Sequence, residues 1–562
     1  MTQPKTTTAG ENGTTYRIGD TLTVTCESPA HGGAFIARTD RGVIFVRHGI
    51  PGETATVRIT GTGPKNRFYF ADVIAVDEPS PYRRKHPWIQ ADSLKTPQQR
   101  EAASGVAELL GGMEYGHIDP AAQRRYKTQI LRTQLERLGK INAESSLLTT
   151  LTVEPMPNRD SVEGDLSWRS RVRYDVVKVG ESWRIAMHPH QSSHSVPVVD
   201  FPLAARDIRD LHLEKLNLYG VKTLEATVSS RGRILLQFEV LARFECADIA
   251  AKIEPQCEAL FGPDLAKKKI SLFFTPQRAS NAKPTTRSYR PSLRSAYRRV
   301  REGDVLSGGG LRSVTEEVLL GKTRIPYQVS AGGFWQVHRC APGVLAQAVL
   351  GMAGVEEGAC VLDLYAGAGL FTAAMADAVG QKGTVISIEG SPVTHRDARA
   401  NFAPGDGISR TERAAETRIE VIRGDVAHHL VDLKTAYDFG EIPPIDVAVV
   451  DPSRDGANRT VLERLASVDP TRIVYVACDP ASLGRDTAIL RELGYALTRV
   501  RGFDMYPNTH HVEAVALFEK PHTHYRVKKV STAKSKAKKR KMDKPDTSKP
   551  IKPNRRRPVV TD

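Results

Sequence analysis

Three short stretches of this chain place residue types that can do covalent chemistry at the ends of apolar runs. ACDP, residues 477–480, puts Cys478 directly after the run IVYVA, DPSR spans residues 451–454, and NTHHVEAV, residues 508–515, carries Glu513. A thiolate can attack an electron-poor carbon, and a carboxylate can take up a proton released later in the same reaction. A cysteine following Ile-Val-Tyr-Val-Ala is equally what a packed core uses, because free cysteine is among the most buried residue types. Taken alone, Cys478 supports both readings.

The elements that position these residues follow a regular rhythm. ACVLDLYAGAGLFTAAMADAV reads as strand, glycine turn and helix, and GTVISIEGS, IEVIRGD, IDVAVVDPSRDG, RIVYVACDP and VEAVALFEK read as further strands. Strands alternating with helices predict a doubly wound α/β domain, whose ligands sit at the carboxyl ends of the strands. That edge would hold Glu389, Asp425, Asp451 and Cys478 together. Gly367 and Gly369 let the backbone turn tightly and approach a ligand, and Glu389 follows at the spacing where an acid takes ribose hydroxyls. This pair fits a nicotinamide dinucleotide or S-adenosylmethionine. Thr372 stands where a dinucleotide fingerprint has its third glycine, which disfavours the nicotinamide reading. Asp425 suits the exocyclic amine of an adenine, or caps the helix that follows it.

The rest of the chain adds context. At 562 residues it is too long for one ordinary core. Residues 1–14 read as disordered, 15–80 as a small β-barrel of the OB type, 81–330 as an α+β region, and 331–520 as the α/β domain. Within the middle region DPAAQRRYKTQILRTQLERLGK predicts a helix started by Asp119 and Pro120, with Ile130, Leu131, Leu135 and Leu138 on its apolar face and its Arg and Lys in solvent. The stretches NAKPTTRSYRPSLRSAYRRVREGD and HPHQSSHSV are basic or His-rich surface. Residues 521–562 carry 15 Lys and Arg against 3 Asp and Glu, so most of the formal charge of +16 lies there. Such a tail reads as disordered and suited to gripping RNA or DNA without sequence preference. The six cysteines are scattered without CxxC spacing, no apolar run approaches a membrane span, and no secretory signal opens the chain, so a cytoplasmic, monomeric protein is expected.

The joint pattern resembles one family. DPSR, then ACDP followed by Leu483-Gly484-Arg485-Asp486, then HVE at 511–513, and GGFWQVH at 332–338 ahead of the α/β domain, are similar in order and type to the RNA uracil-5-methyltransferases with an N-terminal TRAM domain. The resemblance covers residues 15–520. It implies a class I methyltransferase fold, S-adenosyl-L-methionine as cofactor, and a uridine in tRNA or rRNA as substrate. It further implies Cys478 as the nucleophile on carbon 6 and Glu513 as the base that removes the proton from carbon 5. Gln336, Tyr365, Gly367, Gly369, Glu389, Asp425 and Asp451 would line the cofactor and the uracil edge.

The chain also departs from that family. Many members hold a [4Fe-4S] cluster on four cysteines, whereas Leu110, Met113 and Phe201 stand at such places here, so no cluster is expected. Ser453 replaces a proline, and Asp479 replaces an asparagine beside the nucleophile. An ionised Asp accepts hydrogen bonds but donates none, and it raises the pKa of a neighbouring thiol unless a cation, here Arg454 or Arg485, offsets it. These two changes keep a second reading in play, an RNA-binding or RNA-folding factor that retains the fold with altered catalysis.

Overall fold

The computed structural model describes residues 15–520 apart from 158–163, 191, 268, 278–304, 309 and 404–406. The basic stretch 281–304, the N-terminal residues 1–14 and the basic tail therefore lie outside the described residues, as does Gln191 of the His-rich segment.

Residues near the N-terminus form a six-stranded sheet in the order Thr21–Thr25, Thr54–Thr62, Phe68–Glu78, Gly42–Arg47, Phe35–Thr39, Ser28–Pro29. Alternation along these strands sends Val24, Phe35, Ile44, Val46, Val57, Ile59, Tyr69 and Val73 into one common core. Five strands were expected from the sequence, and the sixth is the two-residue pair Ser28–Pro29, too short to leave a periodic signal.

The middle region builds a seven-stranded sheet from Val196–Pro197, Ser182–Met187, Arg171–Val179, Val221–Val228, Ile234–Val240, Ile270–Pro276 and Val305–Gly308, in that spatial order. Ile234–Val240 and Ile270–Pro276 run parallel, joined through the helix Cys246–Ala266. Leu110, Met113 and Phe201 are all buried in the core beneath this sheet, where the Phe201 ring lies 5.4 Å from that of Trp88.

An eight-stranded sheet carries the C-terminal half. Its order is Arg418–Arg423, Thr384–Glu389, Cys360–Leu364, Val447–Val450, Arg472–Ala477, Glu513–Glu519, Ala496–Asp504, Val153–Pro155. The first five strands run parallel, as the strand-helix rhythm predicts, and Glu513–Glu519 inserts antiparallel beside Arg472–Ala477. Both faces are apolar. Val361, Val385, Val449 and Val476 enter one core, while Leu362, Ile386, Ala448 and Tyr475 enter the other. The last strand comes from the chain before the α/β domain, since Val153–Pro155 pairs with Gly502, Phe503 and Asp504.

The helix Pro120–Arg137 forms where it was expected, with the Asp119 carboxylate accepting from the N–H groups of Ala121 and Ala122. Its cationic face is not wholly solvated, however. Lys127 is fully buried and donates to Asp504 Oδ1 at 2.6 Å and to the Tyr506 carbonyl at 3.0 Å, tying this helix to the segment that leads to Glu513. A buried ion pair broken on one side leaves an uncompensated charge, at a cost of about 3–5 kcal/mol. Lys127→Met should therefore lower the unfolding free energy measured by urea titration by that amount, and adding Asp504→Leu should restore most of the loss. A single variant as stable as the parent would show that the pair carries no such weight.

Candidate active site

The expected site residues apart from Gln336 fall at the carboxyl edge of the eight-stranded sheet, and strand register says how those on the central strands line up. Leu364 pairs with Ile388 on one side and Val450 on the other, so the next step brings Tyr365 level with Glu389 and with Asp451. Ala477 pairs with Ala514 in the antiparallel ladder, so one further residue sets Cys478 opposite Glu513. Five strands thus deliver Glu389, Tyr365, Asp451, Cys478 and Glu513 to one edge.

The glycine loop is shaped for close approach. Tyr365, Gly367 and Gly369 all have positive φ, of 63°, 59° and 97°. A Cβ at Gly369 would run into the ring of Phe402, whereas the space around Gly367 is open. The Gly367 N–H donates to one oxygen of Glu389 at 2.7 Å and the Ser391 N–H to the other at 2.5 Å, which fixes this acid against the loop. Thr372, in the third-glycine position, donates its hydroxyl to Asp363 at 2.5 Å. Burial pushes the Asp363 carboxyl up to about 7 even so. A positive-φ loop open at Gly367, with a fixed acid at the end of the next strand, fits a nucleoside cofactor. Asp425 is exposed and its carboxylate caps the helix Val426–Asp438 through the His428 N–H at 2.9 Å. Gln336 is 8% exposed in the loop leading to the helix Ala341–Ala353.

Around the thiol, helix capping and two tertiary contacts set the geometry. Asp479 is the N-cap of the helix Pro480–Glu492 and accepts from the Ser482 N–H at 2.7 Å. Its other oxygen lies 3.2 Å from His31 Nε2, which comes from the N-terminal barrel. Burial works to raise Asp479, but the bonds from His31 and Ser482 outweigh it and hold the carboxyl below its ordinary value. The sequence expectation of an arginine partner for this acid is thereby corrected in part. Arg485 donates instead to the Asp455 carbonyl at 3.2 Å, while Arg454 acts on the thiol itself. Asp486, in the same helix, accepts from the Ala457 N–H at 2.8 Å and from the Tyr475 hydroxyl, so the DPSR loop is strapped to the helix Pro480–Glu492.

The electrostatics of this edge are acid-rich. Burial, then Glu513 and Asp451, push the half-buried Cys478 thiol up to about 12, with Arg454 opposing and Asp479 adding least. Burial and the neighbouring Asp363 and Glu389 lift Asp451 to about 7. Glu513 is 2% exposed, and burial followed by Asp451 raises it to about 8, against the opposing Tyr506 hydroxyl and Arg454. Tyr506 donates to Glu513 Oε2 at 3.3 Å and sits edge-on to Trp168 and His511. His511 in turn faces Arg454 across 3.4 Å. Two carboxyls poised near neutrality beside a thiol can relay protons between a nucleophile and a bound substrate.

Sequence reasoning missed His31, Tyr506 and Asn508. Asn508 has φ of +68°, a region asparagine tolerates better than most residues. It exchanges bonds with Gln123, at 2.8 Å from its N–H and 3.1 Å to its Oδ1, and donates to the Asp165 carbonyl at 2.8 Å. No local pattern in the sequence announces such partners, because they come from elements hundreds of positions away.

Comparison with known proteins agrees with this geometry. Residues 312–521 match the family model described as tRNA (uracil-5-)-methyltransferase, and residues 16–74 match the TRAM domain. A protein of Streptomyces avermitilis named as an RNA methyltransferase is 31% identical over 89% of this chain and 99% of its own length. One from Bifidobacterium longum, similarly named, is 29% identical over 88% and 96%. The fold is also that of the Pyrococcus abyssi tRNA (uracil-54, C5)-methyltransferase solved with S-adenosyl-L-homocysteine, with a TM-score of 0.55 at 16% identity, covering 88% of this chain and 99% of that one. The sheet edge, the glycine loop with its acid and these relationships together make the chain an S-adenosyl-L-methionine-dependent RNA methyltransferase with an N-terminal TRAM domain, a member of the tRNA (uracil-5-)-methyltransferase family.

Proposed function

We propose that this enzyme methylates carbon 5 of a uridine in structured RNA, tRNA or rRNA, through a covalent bond between Cys478 and the uracil. The observation that carries the reading is the cross-strand placement of Cys478 against Glu513, with Asp451 on the same edge. Carbon 5 of uracil is too weak a nucleophile to take a methyl group unaided. Addition of the Cys478 thiolate to carbon 6 makes an enolate and moves electron density onto carbon 5. Asp451, held near neutrality, accepts the thiol proton and faces the uracil edge. Bound S-adenosyl-L-methionine supplies the electrophilic methyl group and brings a positive charge to this acid-rich edge. Glu513 then takes the proton from carbon 5, the carbon 6–sulfur bond breaks, and the thiolate leaves. Gly367, Gly369, Tyr365 and Gln336 shape the cofactor site, with Glu389 on its ribose and Asp425 on its adenine. A target uridine inside a folded RNA must leave its stack to reach this edge.

Asp479 does not argue for a non-catalytic factor on this reading, since its charge is spent on capping the helix and pairing with His31. RNA carrying 5-fluorouridine separates the two functions, because fluorine at carbon 5 cannot be removed as a proton and the adduct persists. Incubation with S-adenosyl-L-methionine should give a protein–RNA complex that survives denaturation and is lost in Cys478→Ala. An adduct that persists in that variant would refute the mechanism. On unmodified RNA, Glu513→Gln should slow turnover roughly 10²–10⁴-fold while still allowing the adduct to form.

The pH dependence follows from the raised carboxyls. Glu513 must be ionised to accept a proton, so kcat/KM should climb with pH toward about 8 and level above it. The Tyr506 hydroxyl donates to the ionised form and holds this pKa down, so Tyr506→Phe should displace the rising limb to higher pH. A Phe variant with a lower plateau and an unmoved limb would assign Tyr506 a purely structural part.

A further inference from the structure

The barrel presents an aromatic face where a barrel exterior is ordinarily polar. Strand alternation turns Ile44 and Val46, and Tyr69 and Ala71, into its core. The same alternation turns Phe45, Phe68 and Phe70 outward. Phe45 and Phe70 are register partners on adjacent parallel strands, and the three rings lie 5.5–5.8 Å apart. Phe70 is 40% exposed. These rings floor a cleft of about 540 Å³ whose rim includes His31, Arg47 and His190. Arg47 is held at that rim by a two-pronged pairing with Asp72, its Nε 2.6 Å from Oδ1. Arg58 lies opposite Asp72 on the neighbouring strand.

The cleft is continuous with the reacting edge. His31 lines it and also touches Asp479, the residue after Cys478. The adjoining Gly33 packs against His510, where a Cβ would stand 3.0 Å from the imidazole.

We propose that Phe45, Phe68 and Phe70 form a stacking subsite for an unpaired nucleobase flanking the reacting uridine, with His31 and Arg47 beside its phosphate. The subsite rests on the reading that the uridine reacts at Cys478. Flat rings with an arginine at the rim are the chemistry that holds single-stranded nucleic acid with little sequence preference, because every base has a π-face. An outward aromatic patch in a protein whose substrate is RNA has its occupant in that substrate.

The test uses the full-length chain and a fluorescein-labelled single-stranded oligouridylate of about 12 nucleotides, with affinity read by anisotropy at fixed salt. Phe70→Ala should weaken binding about tenfold, the loss of one stacked base. Phe70→Leu should lose as much although it keeps an apolar side chain, and Phe70→Trp should bind at least as tightly as the parent. All three should melt at the parent's temperature. Leu and Ala variants that bind like the parent, or a parent with no affinity for the probe, would overturn the subsite. So would a parent dimer that Phe70→Ala dissociates with RNA affinity unchanged, which would give this face to a second copy of the chain. The 5-fluorouridine adduct reports separately. A parent that binds the oligouridylate in a Phe70-dependent way but forms no adduct refutes the Cys478 chemistry and leaves RNA stacking on this face intact.

Discussion

The antiparallel pairing of Glu513–Glu519 against Arg472–Ala477 is the constraint on which the rest of this enzyme depends. A parallel sheet alone would deliver Cys478 and Asp451 to its carboxyl edge but would leave any residue beginning a strand at the opposite edge. Reversing one strand brings its first residue, Glu513, to the edge where Cys478 ends its own. The reversal needs a connection from Asp504 to Glu513 that crosses the sheet edge, and that connection is held from outside. Lys127 and Gln123 on the helix Pro120–Arg137 bond to Asp504, Tyr506 and Asn508. The same helix packs against the helix Pro480–Glu492 at Gly484, where a Cβ would meet the Gln134 carbonyl at 2.7 Å. One helix from the middle region thus holds both the segment leading to Glu513 and the helix that follows Cys478.

The charge balance of the edge carries a second lesson. Asp363, Asp451 and Glu513 are all raised toward neutrality by burial, and the thiol is raised with them. An acid-rich, partly desolvated pocket disfavours further negative charge, which suits it to a cationic sulfonium cofactor. Arg454 is a cation whose field reaches both Cys478 and Glu513, and the loop that carries it is strapped to the helix Pro480–Glu492 through Asp486. The barrel enters the same balance through His31, which offsets the one acid that stands next to the thiol in sequence.

Much of the fold was legible locally. The strand-helix rhythm after residue 330 gave five parallel strands in place, and the alternating strands near the N-terminus gave the small barrel, because apolar periodicity reports which face of an element is buried. Asp119 and Asp425 announced helix starts that they do cap. Lys127 was misread, since a lone cation on an amphipathic helix looks solvated until its buried partner, 377 residues away, is known. Val153–Pro155 was invisible as part of the α/β sheet for the same reason: three residues carry no period, and their pairing with Gly502, Phe503 and Asp504 is a long-range event.

The sequence by itself therefore determined which residues could react and on which sheet edge they would gather, since both follow from residue chemistry and from strands ending in polar turns. It could not determine who stands beside whom across that edge. Register, the reversal of one strand and the His31 contact on Asp479 arise from packing between distant segments. A local pattern holds no information about them. Cys478 was recognisable as a thiol at the end of an apolar strand, but only the tertiary structure set a buried acid opposite it and a barrel histidine beside it.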